Sequence, residues 1–177
     1  MKFLLTLLLI SGLTAGQWEF KTVPSQSTMT ILGTSSLHDW ESKVGDFVVS
    51  GTMGENLINN LKVEVNVKSI KSGKSIMDDK TYDALKSEKF PTVYFTAESL
   101  ALSGSKAEGL GVLTLAGVSR TISLEAQTTI KGAGTVQVNG EVSIKMSEYG
   151  IDPPTAMFGS LTTGDQVTIQ YQLLLNK

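Results

Sequence analysis

The stretch Leu61-Lys62-Val63-Glu64-Val65-Asn66-Val67-Lys68 decides the fold class, because aliphatic and polar residues alternate strictly along it. Successive side chains of a β-strand point to opposite faces, so this period of two predicts a strand with one apolar and one polar face. Seven further segments show the same alternation or are rich in β-branched and aromatic residues. They are 27–33, 43–53, 92–101, 107–117, 118–130, 135–146 and 167–175. The chain is therefore predicted to be all-β, with about eight strands after an extended lead-in at 17–22.

The length of these strands and their short connections favour a closed antiparallel barrel, with a sandwich as the alternative. Closure also removes exposed strand edges. A polar outer face argues against an outer-membrane barrel, whose outer surface must be apolar toward lipid. Alternation alone does not say which face is inside, but in a soluble barrel the apolar face must point inward. We predict an eight-stranded antiparallel barrel whose Val, Ile and Leu side chains point inward.

One segment, Ser75–Leu85, departs from the period of two. It begins with a Ser-x-x-Asp pattern similar to a capping box, and Met77, Tyr82 and Leu85 share one helical face. The Phe90-Pro91 step ends the helical region before the next strand. These features predict one short helix that covers one end of the barrel.

The first sixteen residues have the layout of a secretory signal. Lys2 precedes the apolar run Phe3–Ile10, and small residues follow up to Gly16. The run is shorter than the roughly 20 residues needed to span a bilayer. We predict a signal peptide at 1–16, one barrel domain at 17–177, and a periplasmic or secreted location.

Composition excludes several classes of function. The 177 residues include no Cys, one His and one Arg among 15 basic residues, and the formal net charge is −2. Thiolate metal sites, disulfides and His-rich metal centres are thereby excluded. The charge gives no electrostatic footprint for nucleic acid. No metal, no cofactor and no nucleic-acid partner is expected.

Three motifs are similar to catalytic or nucleotide sites without meeting their requirements. Ser72–Ser75 is similar to the end of a P-loop, but Lys68 stands where that loop needs its first Gly. Gly33–Trp40 brings hydroxyls, His38 and Asp39 together, yet adjacent residues of an extended chain point to opposite faces and no Gly-x-Ser-x-Gly elbow occurs. Acidic residues on the helix are interpreted as a solvated face; they are Asp78, Asp79 and Asp83. We therefore predict a protein without catalytic residues.

Several stretches taken together resemble a known family. The stretches are Gly33-Thr34-Ser35-Ser36-Leu37-His38-Asp39-Trp40, Met77-Asp78-Asp79-Lys80, Phe90-Pro91-Thr92-Val93-Tyr94-Phe95, Gly111–Arg120, Tyr149-Gly150-Ile151-Asp152-Pro153-Pro154 and Gly164-Asp165-Gln166-Val167. The chain is similar to the YceI-like family of exported, lipocalin-like, polyisoprenoid-binding proteins, in its His-Asp-Trp branch. The resemblance implies an eight-stranded barrel around a long apolar channel, and a ligand with an isoprenoid tail such as a quinone or polyprenol.

Strand phase gives candidate residues for the wall of such a channel, although each would also suit an ordinary core. They are Phe47, Val65, Val67, Phe95, Leu113, Leu115, Ile122, Leu124, Val142, Ile144, Ile169 and Tyr171. His38 and Trp40 are expected at the rim. An eight-stranded barrel is at the size where the interior either packs solid or holds one ligand.

The size of such a lipid indicates how it would be acquired. A tail of roughly eight isoprene units, about 40 carbons, would gain about 30 kcal/mol on leaving water, at about 0.8 kcal/mol per CH₂. That exceeds the ceiling of about 20 kcal/mol for non-covalent affinity. Such a lipid would therefore come from a bilayer and not from water, because that transfer exchanges one apolar surrounding for another. We expect transient membrane contact and lipid exchange, and the rate would be set by opening of the barrel end that the helix or the 149–163 loop covers.

Other readings stay open at this point. One is a solid-core exported barrel that acts as an interaction or stress-response module without lipid cargo. Another is a hydrolase or isomerase that uses His38. A homodimer is also left open.

Overall fold

The alternating segments form a closed antiparallel barrel, and one helix lies at its end. The structure is a computed structural model that describes residues 16–177. The strands are β1 Trp18–Thr22, β2 Thr28–Ser35, β3 Trp40–Val44, β4 Phe47–Met53, β5 Leu57–Asn66, β6 Ile70–Lys71, β7 Thr92–Ser103, β8 Lys106–Leu115, β9 Val118–Gly132, β10 Thr135–Lys145, β11 Thr155–Ala156 and β12 Leu161–Asn176. The helix α1 is Ser75–Ala84.

Neighbouring barrel strands are also neighbours in sequence. A 3₁₀ turn at Pro24–Gln26 divides the first barrel strand into β1 and β2, which pair with β4 and β3. β5, β7, β8, β9, β10 and β12 follow in order. The last strand closes the ring on the first, with Val167 opposite Gly33 and Leu175 opposite Thr22. The predicted eight-stranded antiparallel barrel with one short helix is thus confirmed.

The two ends of the barrel differ in their connections. Short turns join the strands at one end, around residues 54–56, 104–105 and 133–134. The opposite end carries the 36–39 turn, the long segment 67–91 with α1, and the loop 146–160. We call the latter the helix end and the former the far end. Asymmetry of this kind makes one end the natural place for function, because long loops carry binding sites on a rigid scaffold.

Helix α1 is fastened to the chain before it by a carboxylate. Asp78 accepts hydrogen bonds from the backbone N–H and the hydroxyl of Ser72, both at 2.7 Å, and lies 3.6 Å from Lys71 Nζ. The interpretation of Asp78 as part of a solvated face is therefore wrong: the residue is only 8% exposed, whereas Asp79 and Asp83 are exposed. The capping-box pattern does not form either, since Asp78 bonds to Ser72 rather than to its own helix terminus.

Tyr82 completes this attachment. Its hydroxyl lies 3.0 Å from the carbonyl oxygens of both Lys68 and Ile70. The predicted common face of Met77, Tyr82 and Leu85 is therefore wrong for Tyr82, which contacts the 68–71 segment and not the barrel interior. Lys71 Nζ also lies 5.0 Å from the centre of the Tyr82 ring, so the ring and the hydroxyl both contact this segment.

No helix within residues 16–177 is long and apolar enough to cross a membrane. The predicted signal peptide at 1–16 lies outside the described residues, apart from Gly16. The boundaries of the predicted domains stay predictions.

Candidate functional site: an apolar cavity open at the helix end

A cavity of about 550 Å³ lies inside the barrel, and every barrel strand contributes to its wall. Most of the side chains that border it are aliphatic or aromatic. Ligand-binding pockets commonly measure about 300–1,000 Å³, so this interior has the volume of a ligand site. The barrel interior is therefore not packed solid.

Ten of the twelve residues predicted by strand phase border this cavity. They are Val65, Phe95, Leu113, Leu115, Ile122, Leu124, Val142, Ile144, Ile169 and Tyr171. Both residues predicted at the rim, His38 and Trp40, border it as well. Their contact with a ligand stays a prediction.

Phe47 and Val67 do not border the cavity, and their prediction as wall residues differs from the structure. Both are buried, but they lie where two strands are interrupted. Phe47 is the first residue of β4, after the Gly45-Asp46 break. Val67 begins a 3₁₀ turn after β5, and its N–H donates to the Pro91 carbonyl. Both keep the phase of a neighbouring wall residue, Val49 or Val65, so alternation predicts their burial correctly but does not show how far along the strand the cavity extends.

Sequence reasoning also missed wall residues at the far end and on the helix. At the far end they include Phe20, Ile58, Leu100, Ala107, Leu173 and Leu175. On α1 they are Met77, Lys80, Thr81 and Ala84, with Leu85 just beyond it. Spacings of three and four residues mark one helical face, so a period of 3.6 applied to 75–85 could have found the helix set. Ala107, Leu173 and Leu175 continue the alternation of their strands toward the far end. Ile58 and Leu100 do not, because an irregularity in the strand pairing shifts the alternation by one residue before each of them is reached.

Aromatic rings cover glycines on the inner wall. The Phe20 ring lies over Gly51, Trp40 over Gly33, Phe95 over Gly111 and Tyr171 over Gly140. In each pair the ring occupies the space that a β-carbon on the glycine would take. These glycines therefore make room for the rings, and the cavity lies between the rings.

Polar wall residues are concentrated toward the helix end. They are Ser35, His38, Ser42, Lys74, Lys80, Thr81, Thr155, Thr162 and Thr163. Tyr171, farther in, is the remaining one among the described residues. Leu37, His38 and Lys74 border the cavity and are also exposed, so the cavity reaches the surface at this end. The far-end residues Phe20, Ile58 and Leu100 are buried, and this end is closed.

Hydrogen bonds at the rim occupy the groups that had suggested hydrolase chemistry. The Ser35 hydroxyl donates to the His38 carbonyl at 2.7 Å and accepts from the N–H groups of Leu37 and His38. His38 Nδ1 lies 2.7 Å from the backbone carbonyl oxygen of Asp39 and donates to it. Ser35 thus stabilises the 36–39 turn, and His38 contacts a backbone oxygen rather than the Asp39 carboxylate.

Trp40 and Tyr171 satisfy their polar atoms inside the wall. Trp40 Nε1 donates to the Thr34 carbonyl at 3.0 Å, which fixes the ring over Gly33. The Tyr171 hydroxyl donates to the Glu125 carbonyl at 3.4 Å, two strands away. Burial raises the pKa of Tyr171 to about 12, so it stays a neutral donor. Both aromatics therefore present apolar faces to the interior.

The described residues contain no group of three or more His, Cys, Asp or Glu side chains arranged to hold a metal ion.

A closed antiparallel barrel with one apolar cavity, open at one end, defines a lipocalin-like barrel. The chain belongs to the family of YceI-like domains, whose model matches residues 18–175. The predicted family is thus confirmed.

Solved structures show the same fold. BcnA of Burkholderia cenocepacia is 17% identical, with a TM-score of 0.70, over 88% of this chain and 99% of that one. A polyisoprenoid-binding domain from Saccharophagus degradans, described as implicated in plant cell wall breakdown, is 13% identical, with a TM-score of 0.67, over 89% and 97%. The YceI protein of Campylobacter jejuni is 21% identical, with a TM-score of 0.65, over 77% and 84%. No curated protein matches the chain in sequence.

Proposed function

We propose that this protein binds and carries a lipid of the isoprenoid type, a quinone, a polyprenol or a similar long apolar molecule, without catalysis of its own. The observation that carries the proposal is the apolar cavity of about 550 Å³ that opens at the helix end. The name of the Saccharophagus degradans domain, which is described as polyisoprenoid-binding, supports the choice of ligand.

The energetics of the cavity favour a carrier over a solid-core interaction module. At about 24 cal/mol per Å³, a permanently empty apolar space of this volume would cost on the order of 10 kcal/mol. That is comparable to the entire free energy of unfolding of an ordinary domain, about 5–15 kcal/mol. An apolar chain in the cavity would remove this cost.

Mass spectrometry of the protein, produced by export in a bacterial host, tests the proposal directly. A native spectrum followed by organic extraction should show a discrete adduct that releases a prenyl-chain lipid. The same native spectrum reports whether the protein is a monomer or a homodimer. A bare protein mass, unchanged after incubation with vesicles that contain quinone and polyprenol, would contradict the proposal and favour the interaction module.

A matched pair of variants on β10 tests whether the cavity is where the lipid binds. Ile144 is buried and borders the cavity, whereas its neighbour Ser143 is exposed on the outer face. Ile144→Trp should obstruct the cavity and block lipid uptake while the barrel stays folded. Ser143→Trp should leave uptake unchanged. Equal lipid occupancy in the two soluble variants would place the lipid elsewhere.

Lipid exchange requires contact with a membrane, and we propose that the helix end makes it. Three large apolar side chains protrude there from three separate connections: Leu37 at 67% exposed, Ile76 at 74%, and the fully exposed Phe158. Phe158 also has a left-handed backbone, with φ of 56°, which a bulky residue rarely adopts without a functional reason. Apolar side chains held out around a cavity mouth are suited to insertion among lipid headgroups.

Vesicle flotation measures this contact. The triple variant Leu37→Ser, Ile76→Ser, Phe158→Ser should lose vesicle binding and slow lipid transfer. Leu57 and Ile130, exposed near the far end, supply the control, and Leu57→Ser with Ile130→Ser should change neither. Loss of binding in the control pair alone would reverse the proposed orientation.

Export completes the proposal. Cleavage of residues 1–16 would release a chain that begins at Gln17 into the periplasm or the medium. The lack of Cys suits an oxidising compartment. The mass of the exported protein should equal that of residues 17–177, and an uncleaved cytoplasmic protein would contradict this step.

A further inference from the structure

The charge of the cavity mouth indicates which headgroup the ligand carries. Lys74 and Lys80 border the cavity at the helix end, while none of the described residues that border it is Asp or Glu. The wall beyond the mouth is apolar as far as the closed far end. The cavity thus combines a cationic entrance with an apolar interior, which is complementary to an amphiphile with an anionic head.

One lysine lies just before α1 and the other in the middle of it. Lys74 is the residue just before the helix, and Lys80 belongs to the helical face that also presents Met77, Thr81 and Ala84 to the cavity. Met77 lies between them in sequence on that face, so an apolar side chain separates the two cations. A headgroup at this position would meet both ammonium groups while its chain continues past Met77.

Neither ammonium is neutralised within the described part of the chain. Lys68, Lys71 and Lys106 each lie within 4 Å of a carboxylate, whereas Lys74 and Lys80 are in no such ion pair. Lys80 Nζ donates one hydrogen bond, to the Thr155 carbonyl at 2.8 Å, and an ammonium has three protons to donate. The Thr155 carbonyl, a neutral acceptor, thus holds the Lys80 ammonium at the mouth. The ammonium keeps its other two N–H donors for a ligand.

We propose that Lys74 and Lys80 bind the anionic head, a phosphate or a carboxylate, of an amphiphile whose apolar chain fills the barrel. This inference rests on the proposed function. The proposed function concerns the apolar tail of the lipid ligand, and this inference concerns its headgroup. Charged hydrogen bonds at the edge of an apolar space are stronger than in open water, so these lysines distinguish an anionic lipid from its neutral alcohol.

The test compares ligands that share a tail and differ in the head. Delipidated protein is titrated with hexadecanoic acid and hexadecanol, and with farnesyl phosphate and farnesol. The expected result is about tenfold tighter binding of each anion than of its alcohol, corresponding to about 1.4 kcal/mol. Comparison of the anion-over-alcohol preference between the two pairs, each of which shares its tail, distinguishes a phosphate head from a carboxylate head.

Variants then connect this preference to the two lysines. Lys74→Gln with Lys80→Gln should abolish the preference by weakening the anions alone, and Lys74→Arg with Lys80→Arg should retain it. Lys131→Gln, an equal loss of charge near the far end, should have no effect.

Failure of the inference differs from failure of the proposed function. Equal binding of acid and alcohol by the unaltered protein would overturn the anionic head and leave the lipid carrier standing. If the protein binds none of the four probes and takes up no prenyl lipid from vesicles, the proposed carrier function is overturned. A preference that survives in the double Gln variant would exclude Lys74 and Lys80 as its source.

Discussion

The two ends of the barrel are formed by the same strands, but one end is closed and the other is open. At the far end, short turns close the barrel over Phe20, Ile58 and Leu100, which are all buried. At the helix end, long connections surround an opening lined by hydroxyls and two lysines, with apolar side chains protruding around it. Stability should therefore depend mainly on the far end and function on the helix end. Substitutions that change one end at a time test this division.

The largest loss of stability is expected from Leu100, which is 2% exposed near the far end. Leu100→Ala should lower the free energy of unfolding by about 2–5 kcal/mol, because it removes buried apolar surface and enlarges a space that cannot collapse. Urea unfolding measures the change. Leu37→Ala, the same substitution at the exposed rim, should stay within about 0.5 kcal/mol. A similar cost for both variants would refute the division between the ends.

A smaller loss is expected where a ring covers a glycine in the wall. A β-carbon at Gly111 would overlap the Phe95 ring and approach the Thr96 carbonyl oxygen to 2.8 Å. Gly111→Ala should therefore destabilise the barrel by about 1–3 kcal/mol through overpacking.

Gly132 is the matched control, because nothing lies within 4 Å of its β-carbon position near the far-end turn. Gly132→Ala should be neutral or stabilise the protein by up to about 1 kcal/mol, since alanine restricts the unfolded chain. A stable Gly111→Ala variant would show that the Phe95 ring can move aside, and the cavity would then be more adaptable than the wall suggests.

The pairs of a wall glycine and an aromatic ring, such as Gly111 and Phe95, show which features of the site the sequence could not predict. Alternation alone located Val65, Leu113 and Ile144 on the cavity wall, because the period of two is a local property of the backbone. It could not show that Gly111 lies under a ring from a neighbouring strand, since that contact depends on strand register. It predicted the burial of Phe47 and Val67 but not that they lie outside the cavity wall, because the extent of the cavity along a strand depends on tertiary structure.

The helix end was less predictable for a related reason. A helix at 75–85 follows from local pattern, but which of its residues face the cavity depends on how α1 is attached. Asp78 illustrates this: its bonds to Ser72, six residues earlier, arise from the shape of the intervening loop. The position of Lys74 at the mouth is a consequence of that attachment and carries no periodic signal, whereas Lys80 shares the helical face of Met77 and Thr81.

Asp78 supplies the third prediction, a pH-dependent one. Hydrogen bonds from the Ser72 N–H and hydroxyl hold the pKa of its carboxyl below the ordinary value. The folded state therefore favours the ionised form. The resulting stabilisation is complete above the ordinary pKa of about 4 and is lost as the pH falls through the lowered folded-state pKa.

Asp78→Ala should lower stability at pH 7 by about 1 kcal/mol for each hydrogen bond lost. The difference from the unaltered protein should shrink as the pH falls below about 4. Thermal unfolding at a series of pH values measures it, with the exposed Asp79→Ala as the control. An Asp78→Ala deficit that persists undiminished in acid would mean that packing, not the carboxylate, holds the helix. Faster lipid exchange in this variant at pH 7 would identify α1 as the moving part of the entrance.

The smallest expected effect concerns Tyr149, and its sign is opposite. Tyr149 is fully buried in the 3₁₀ turn Met146–Tyr149 at the helix end, and its hydroxyl has no hydrogen-bond partner among the described residues. Burial raises the pKa of Tyr149, so the group stays neutral. An unpartnered buried hydroxyl costs about 1–3 kcal/mol, and Tyr149→Phe removes that cost while leaving a space the size of one oxygen atom. The free energy of unfolding of the variant, measured in urea, should therefore equal that of the unaltered protein or exceed it by up to about 1 kcal/mol.

A clear loss of stability would show that the hydroxyl is hydrogen-bonded in solution. None of the described residues at the far end carries such a group. A gain from this single change would therefore show that the helix end tolerates an unsatisfied buried hydroxyl.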